Sequence, residues 1–165
     1  MTFTKKCRDT DAYNNEKFAY SIFKDKSWCP NLISCNDDKN EIVIDFYQGK
    51  DLVHINKNDK DIILYNLLIA IYDIFSEGYC HCDLHIGNVL ILNDNTIKII
   101  DFESIRKANI NNFFESQDVI GKSFTMPPGN GNMCIMKNHE KSISTFFGIK
   151  SIEKLKYLMK DIINK

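Results

Sequence analysis

The chain reads as an α+β protein on three observations. Apolar residues recur at helical spacing through "DIILYNLLIAIYDIF", the runs "EIVIDFY" and "TIKIIDF" are rich in the β-branched and aromatic residues of strands, and the order of such segments is strand, helix, strand, long helix, hairpin, then mostly helix and loop. With 165 residues, 44% of them hydrophobic, the chain is long enough to bury one core, and a single domain over 1–165 is expected.

Each element has a local reason. "MTFTKKC" reads as a short strand, and "DAYNNEKFAYSIFKDK" as a helix with Tyr13, Phe18, Ile22 and Phe23 near one face. Glu41 to Tyr47 is a strand that Gly49 breaks. The long helix starts at a cap on Asn58 or Asp59 and closes at Gly78; its nearly all-round apolarity marks it as buried. "NVLIL" and "TIKIIDF" flank "NDN", whose residues suit the turn of a hairpin. "SIEKLKYLMKDIINK" is an amphipathic helix with Ile152, Leu155, Leu158, Met159 and Ile162 on one side.

Charge and cysteine usage narrow the class. Lys and Arg number 21 against 22 Asp and Glu, so no basic field argues for nucleic acid or an anionic membrane surface. No apolar run approaches the roughly 20 residues of a membrane-spanning helix, and the N-terminus lacks the apolar core of a secretory signal. A soluble, cytoplasmic protein is expected, in a host cell's cytoplasm if the source is a virus or a secreted effector. The six cysteines, Cys7, Cys29, Cys35, Cys80, Cys82 and Cys134, are scattered, which suits reduced thiols rather than a disulfide framework.

Functional residues concentrate in "EGYCHCDLHIGNVLILNDNTIKIIDFES", residues 77–104. Cys80, Cys82 and His85 are of the types that bind zinc, with His81 between them, but a structural zinc site wants a fourth ligand and no second Cys or His pair follows. A Cys–His nucleophile lacks any residue that would fix its geometry. A third pattern uses more of the stretch. His81-Cys82-Asp83-Leu84-His85-Ile86-Gly87-Asn88 fits H-x-D-L-x-x-x-N, and Asp101-Phe102-Glu103 stands where D-F-G would follow. A carboxylate to orient or deprotonate an attacking hydroxyl, and oxygen ligands for a cation that bridges phosphates, are what phosphoryl transfer requires.

This stretch resembles the atypical branch of the protein-kinase-like superfamily, which includes aminoglycoside and choline phosphotransferases, lipopolysaccharide kinases, RIO kinases and compact effector or viral kinases. The resemblance covers roughly residues 1 to 105, most closely 77–104. It implies a truncated kinase-like fold, with a reduced N-lobe over 1–47 and a short, mostly helical C-lobe over 48–165. It further implies that Asp83 acts on the acceptor, and that Asn88 and Asp101 hold Mg²⁺ or Mn²⁺. His81 and His85 support the catalytic loop; His85 stands where ordinary kinases carry lysine, placed to contact phosphate, a neighbouring carboxylate or only its own loop. Lys5 or Lys6 would contact the phosphates of ATP while paired with Glu16, and backbone groups near Asp45 and Tyr47 would hold adenine.

Two departures stand out. No glycine precedes Gly49, so the Gly-rich loop over the phosphates is missing, and Glu103 replaces the glycine of D-F-G, removing its backbone freedom. Beyond Glu103, "SQDVIGKSFTMPPGNGNMCIM" reads first as a surface loop, with Asp118 and Gly121 the positions that would brace the catalytic loop. Only 62 residues follow Glu103, with no room for the large helical insertion of small-molecule kinases, which tilts the acceptor toward a Ser/Thr hydroxyl on a protein. A small-molecule kinase and a pseudokinase that binds a partner kinase or its substrate are the alternatives.

Overall fold

Ile42 and Ile44 point into the core from the central strand of the first sheet, and alternation along that strand sets the register of its neighbours. The computed structural model describes residues 1–120, 135–136 and 142–164, so Gly121, Pro127, Pro128 and Cys134 lie outside the described residues. The first sheet has the order β1 (Thr2–Lys6), β3 (Glu41–Asp45), β2 (Leu32–Asn36), all antiparallel. β2 was not legible as a strand. Only Leu32 and Cys35 are partly covered, and a register shift between Leu32 and Ser34 breaks its alternation.

Helix α1 (Thr10–Ile22) crosses between the first sheet and the rest of the molecule. Asp9 caps it, its side chain accepting from the Ala12 N–H at 2.8 Å. The buried face is Ala12, Tyr13, Glu16, Ala19 and Tyr20, which corrects the expected stripe: Phe18 is 37% exposed and only packs edge-on against Tyr79. A carboxylate therefore occupies the middle of the apolar face. The helix also stops short of the expected Lys26, because the chain turns at Phe23 to bring Phe23 and Trp28 into the core.

The second half is organised around α2 (Lys60–Ser76), which buries Ile63, Leu64, Leu67, Leu68, Ala70, Ile71 and Ile74 while Ile62 stays half exposed. Gly78 at φ 84° takes the left-handed turn that ends it. There follow β5 (Tyr79–Cys80), β6 (Val89–Ile91), β7 (Ile97–Ile99) and β8 (Arg106–Lys107). β6 and β7 form the expected hairpin, β4 (Lys50–Asp51) adds to its other edge, and β5 pairs with β8. Two helices close the chain, α3 (Ile143–Phe147) and α4 (Ile152–Ile163), the latter burying Leu155, Met159 and Ile162 and packing on α2. No helix among the described residues is long and apolar enough to cross a membrane. The outcome is a truncated kinase-like α+β fold, and its core runs unbroken from the first sheet through Tyr20, Phe23, Trp28 and Phe102 to α2.

Candidate active site

The loop after β5 is held by an acid far along the chain. Asp118 is 1% exposed, and its two carboxylate oxygens accept from the successive N–H groups of His81 and Cys82, each at 2.9 Å. Those bonds hold Cys82 at φ 65°, a left-handed conformation that a non-glycine residue keeps only where its surroundings over-determine it. Burial pushes the Asp118 carboxyl up to about 6, with the two N–H groups pulling the other way. Asp118 therefore does brace the loop after β5, and for this residue the reading as part of a plain surface loop is corrected, while Gly121, the other position named for bracing, lies outside the described residues. The same segment is tied onward, Ile135 donating to the Asp118 carbonyl at 2.7 Å.

His81 sits behind the loop with no exposed surface. Its Nε2 lies 3.1 Å from the Ile100 carbonyl, so this nitrogen carries the proton, and Nδ1 is left to accept from the Asp83 N–H at 3.4 Å. Burial lowers its pKa to about 4, so the ring is neutral at pH 7 and packs against Phe102 at 4.9 Å between centroids. With no exposed surface, its ring contacts the loop backbone and Phe102 and does not reach solvent. His85 caps the turn Ile86–Asn88, its Nδ1 accepting from the Gly87 N–H at 3.0 Å. A Cβ on Gly87 would lie 2.8 Å from the His85 ring, so a larger residue there would push the ring off its cap. Asn88 is buried and donates through Nδ2 to the Asp83 carbonyl at 2.9 Å, closing the loop on itself. Asp83 is half-buried, and its carboxyl rises to about 6, first by burial and then by the neighbouring Asp101.

Opposite this loop stands Lys5. Alternation along β1 turns Lys5 inward and leaves Lys6 exposed, so only Lys5 reaches the site. Its ammonium contacts Glu16 Oε1, Asp101 Oδ1 at 2.7 Å and Glu103 Oε1 at 3.1 Å. Burial by itself would lower the Lys5 pKa, but Glu16 and then Asp101 outweigh it and raise it, so the group stays charged. Glu16 is fully buried, and its Oε2 lacks a hydrogen-bond partner among the described residues. Asp101 holds φ 69° and ψ 61°, again left-handed, at the point where β7 turns away into Phe102–Ser104.

Between the two sets lies a cleft of about 410 Å³ whose walls include Lys5, Asn88 and Asp101 at one end and Phe3, Ile44 and Tyr47 at the other. Apolar walls with a few convergent polar groups are the usual make-up of a ligand site. Asp45 and Tyr47 both line it, but the Asp45 N–H is spent on the Asn31 carbonyl at 3.1 Å and the Tyr47 hydroxyl accepts from the Asn31 N–H at 3.2 Å. The Asp45 N–H is therefore turned to the β2 side of the strand and not left open to the cleft.

A loop carboxylate, a strand lysine paired to a helix glutamate, and an aspartate at the end of a hairpin converge as they do in kinase-like folds. Residues 9–121 match the model of the ABC1 atypical kinase-like domain. The chain belongs to that family. This ABC1 kinase-like chain is also 30% identical over 111 residues to human Citron Rho-interacting kinase, covering 61% of the chain and 6% of that protein. It is 32% identical over 85 residues to serine/threonine-protein kinase cds1 of Schizosaccharomyces pombe, covering 44% of the chain and 18% of cds1. The chain spans less than a fifth of the length of either relative. Lys5 lies before the matched stretch, so its place in the site rests on geometry alone.

Sequence reasoning gave no side-chain role to Glu103, which at 15% exposure extends one carboxylate oxygen to Lys5. The departure from D-F-G was visible; that the new side chain would turn into the cluster was not. Cys80 and Cys82, the residues that first suggested zinc or redox chemistry, are packed thiols whose pKa burial raises, that of Cys80 to about 12.

Proposed function

We propose that this ABC1 kinase-like chain is an ATP-dependent phosphotransferase that passes the γ-phosphate to a Ser or Thr hydroxyl of a protein, in the cytoplasm. The observation that carries the reading is the contact of Lys5 with both Glu16 and Asp101 in the wall of a cleft that also holds Asn88. Lys5 would steady the phosphates, and Asp83, fixed from behind by Asp118 and His81, would orient the acceptor hydroxyl and take its proton. The rest of the catalysis is positioning and electrostatics. The choice of a protein acceptor draws on the relatives, two of which, cds1 and human MRCK gamma, are named serine/threonine-protein kinases.

Asn88 and Asp101 would hold Mg²⁺ or Mn²⁺. The donor types fit a hard cation, since Asn88 and Asp101 both offer oxygens to one cleft, while the close trio of Glu16, Asp101 and Glu103 is held by the Lys5 ammonium. When bound, the ion would neutralise charge on the bridging phosphates. Asn88 is oriented for this by its bond to the Asp83 carbonyl, and Asp101 by its left-handed backbone.

The test is transfer of radiolabelled γ-phosphate from ATP to the protein itself or to a generic acceptor. Asp83→Ala and Asp101→Ala should each abolish it, and unchanged transfer in either variant would sink the assignment. A pseudokinase that binds a partner kinase or its substrate is the second reading. Thermal shift with Mg²⁺ and millimolar ATP separates the two, since a site that binds raises the melting point by mass action. No shift would favour the pseudokinase.

A further inference from the structure

Arg8 lies between β1 and the cap of α1, outside every motif in the sequence. Its Nε is 3.3 Å from Asp9 Oδ2 and 3.6 Å from Glu103 Oε2, while the other Glu103 oxygen is 3.1 Å from Lys5 Nζ. One largely buried carboxylate thus holds two cations side by side. The side chain of Arg8 is 55% exposed against 23% for Lys5, so Arg8 is the outer and Lys5 the inner of the two cations that Glu103 joins, and of the two only Lys5 lines the cleft.

Charge balance supports a role beyond the pair itself. Glu16, Asp101 and Glu103 put three carboxylates on Lys5, and Arg8 is the other basic group that contacts this cluster among the described residues. Arg8 is also the charge that most lowers the Asp83 carboxyl, which puts it near the catalytic loop. Exposed ion pairs are worth little to stability, so the Arg8 contacts contribute little to folding. A guanidinium offers five N–H donors in a planar fork matched to phosphate oxygens.

We propose that Arg8 is a second phosphate-contacting cation of this site, held beside Lys5 by Glu103, and that it grips the terminal phosphate of the nucleotide. This rests on the reading of the cleft as an ATP site. Glu103 is then a positioning residue: by replacing the glycine of D-F-G it orients Arg8.

The experiment is calorimetric titration of the full chain with Mg²⁺ plus ATP and, separately, Mg²⁺ plus ADP. Arg8→Ala is expected to weaken ATP about tenfold or more, the effect of losing a hydrogen bond between charged groups, and ADP by less than about twofold. Arg8→Lys, which keeps the charge without the fork, should restore part of the loss. Glu103→Gln should weaken ATP selectively too, with a melting point near that of the wild type. Equal losses for ATP and ADP, or none, in Arg8→Ala would overturn the role of Arg8 while leaving the ATP site standing. A wild-type chain that binds neither nucleotide would overturn the ATP reading and this inference together.

Discussion

Removing the Asp118 carboxylate tests whether the catalytic loop is built from a distance. The side chain is fully buried and accepts two backbone N–H groups at 2.9 Å, and neither donor has another acceptor among the described residues. Asp118→Ala strands both. A buried donor left unsatisfied costs roughly 1–3 kcal/mol, so about 2–6 kcal/mol of stability should be lost, out of the roughly 5–15 kcal/mol typical of a domain. Asp118→Asn keeps one acceptor oxygen and sets an NH₂ against the other donor, for a loss of about 1–3 kcal/mol. The amide is also spared the burial cost that pushes the Asp118 carboxyl to about 6, which makes it the milder change. Without the brace Cys82 can leave φ 65°, and a displacement of Asp83 by an ångström would cost on the order of a hundredfold in rate. Urea unfolding followed by circular dichroism gives the stability, read only where the m value is unchanged. If Asp118→Ala unfolds within about 0.5 kcal/mol of the wild type, the range of an ordinary surface substitution, or if Asn proves worse than Ala, the bracing argument is wrong.

Three further outcomes are expected. Lys5→Met removes the partner of the buried Glu16 and should cost about 3 kcal/mol, the low end for a broken buried pair because Lys5 is 23% exposed, together with all phosphotransfer; the Lys5→Met, Glu16→Gln double variant should regain part of that stability in a double-mutant cycle, and strict additivity would deny the coupling. Phosphotransfer should be present above pH 6 and fall as the pH drops through about 6, because burial and then Asp101 raise the Asp83 carboxyl there and only its ionised form takes a proton; a rate flat from about pH 8 to 5 would rule out Asp83 as the base. Gly87→Ala forces the His85 ring aside from a 2.8 Å contact and breaks its cap on the 86–88 turn, so a stability loss of about 1 kcal/mol and weaker Mg²⁺-dependent ATP binding should appear in melting and titration, and wild-type values in both would refute the packing argument.

Most of the elements were legible because their causes are local. The periodicity of 60–76, the turn residues between β6 and β7 and the amphipathic pattern of α4 each sit within a short window, and so does the spacing from Asp83 to Asn88. β2 escaped because its pairing with β3 depends on a bulge and on a partner strand rather than on its own alternation. The two-residue strands β5 and β8 exist only because the chain brings Tyr79 opposite Lys107.

The same division holds in the site. That the chain carries a kinase-like catalytic loop and an Asp-Phe-Glu turn was determined by residue order alone, since those groups lie on one loop and one hairpin whose geometry is short-range. Which of two adjacent lysines meets Glu16 and Asp101 was decided by the pairing of β1 with β3, which turns Lys5 in and Lys6 out. The bracing of His81 and Cys82 by Asp118, across 37 and 36 residues, and the meeting of Arg8 with Glu103 come from folding, because hydrogen bonds and ion pairs across such separations leave no periodic trace in a sequence.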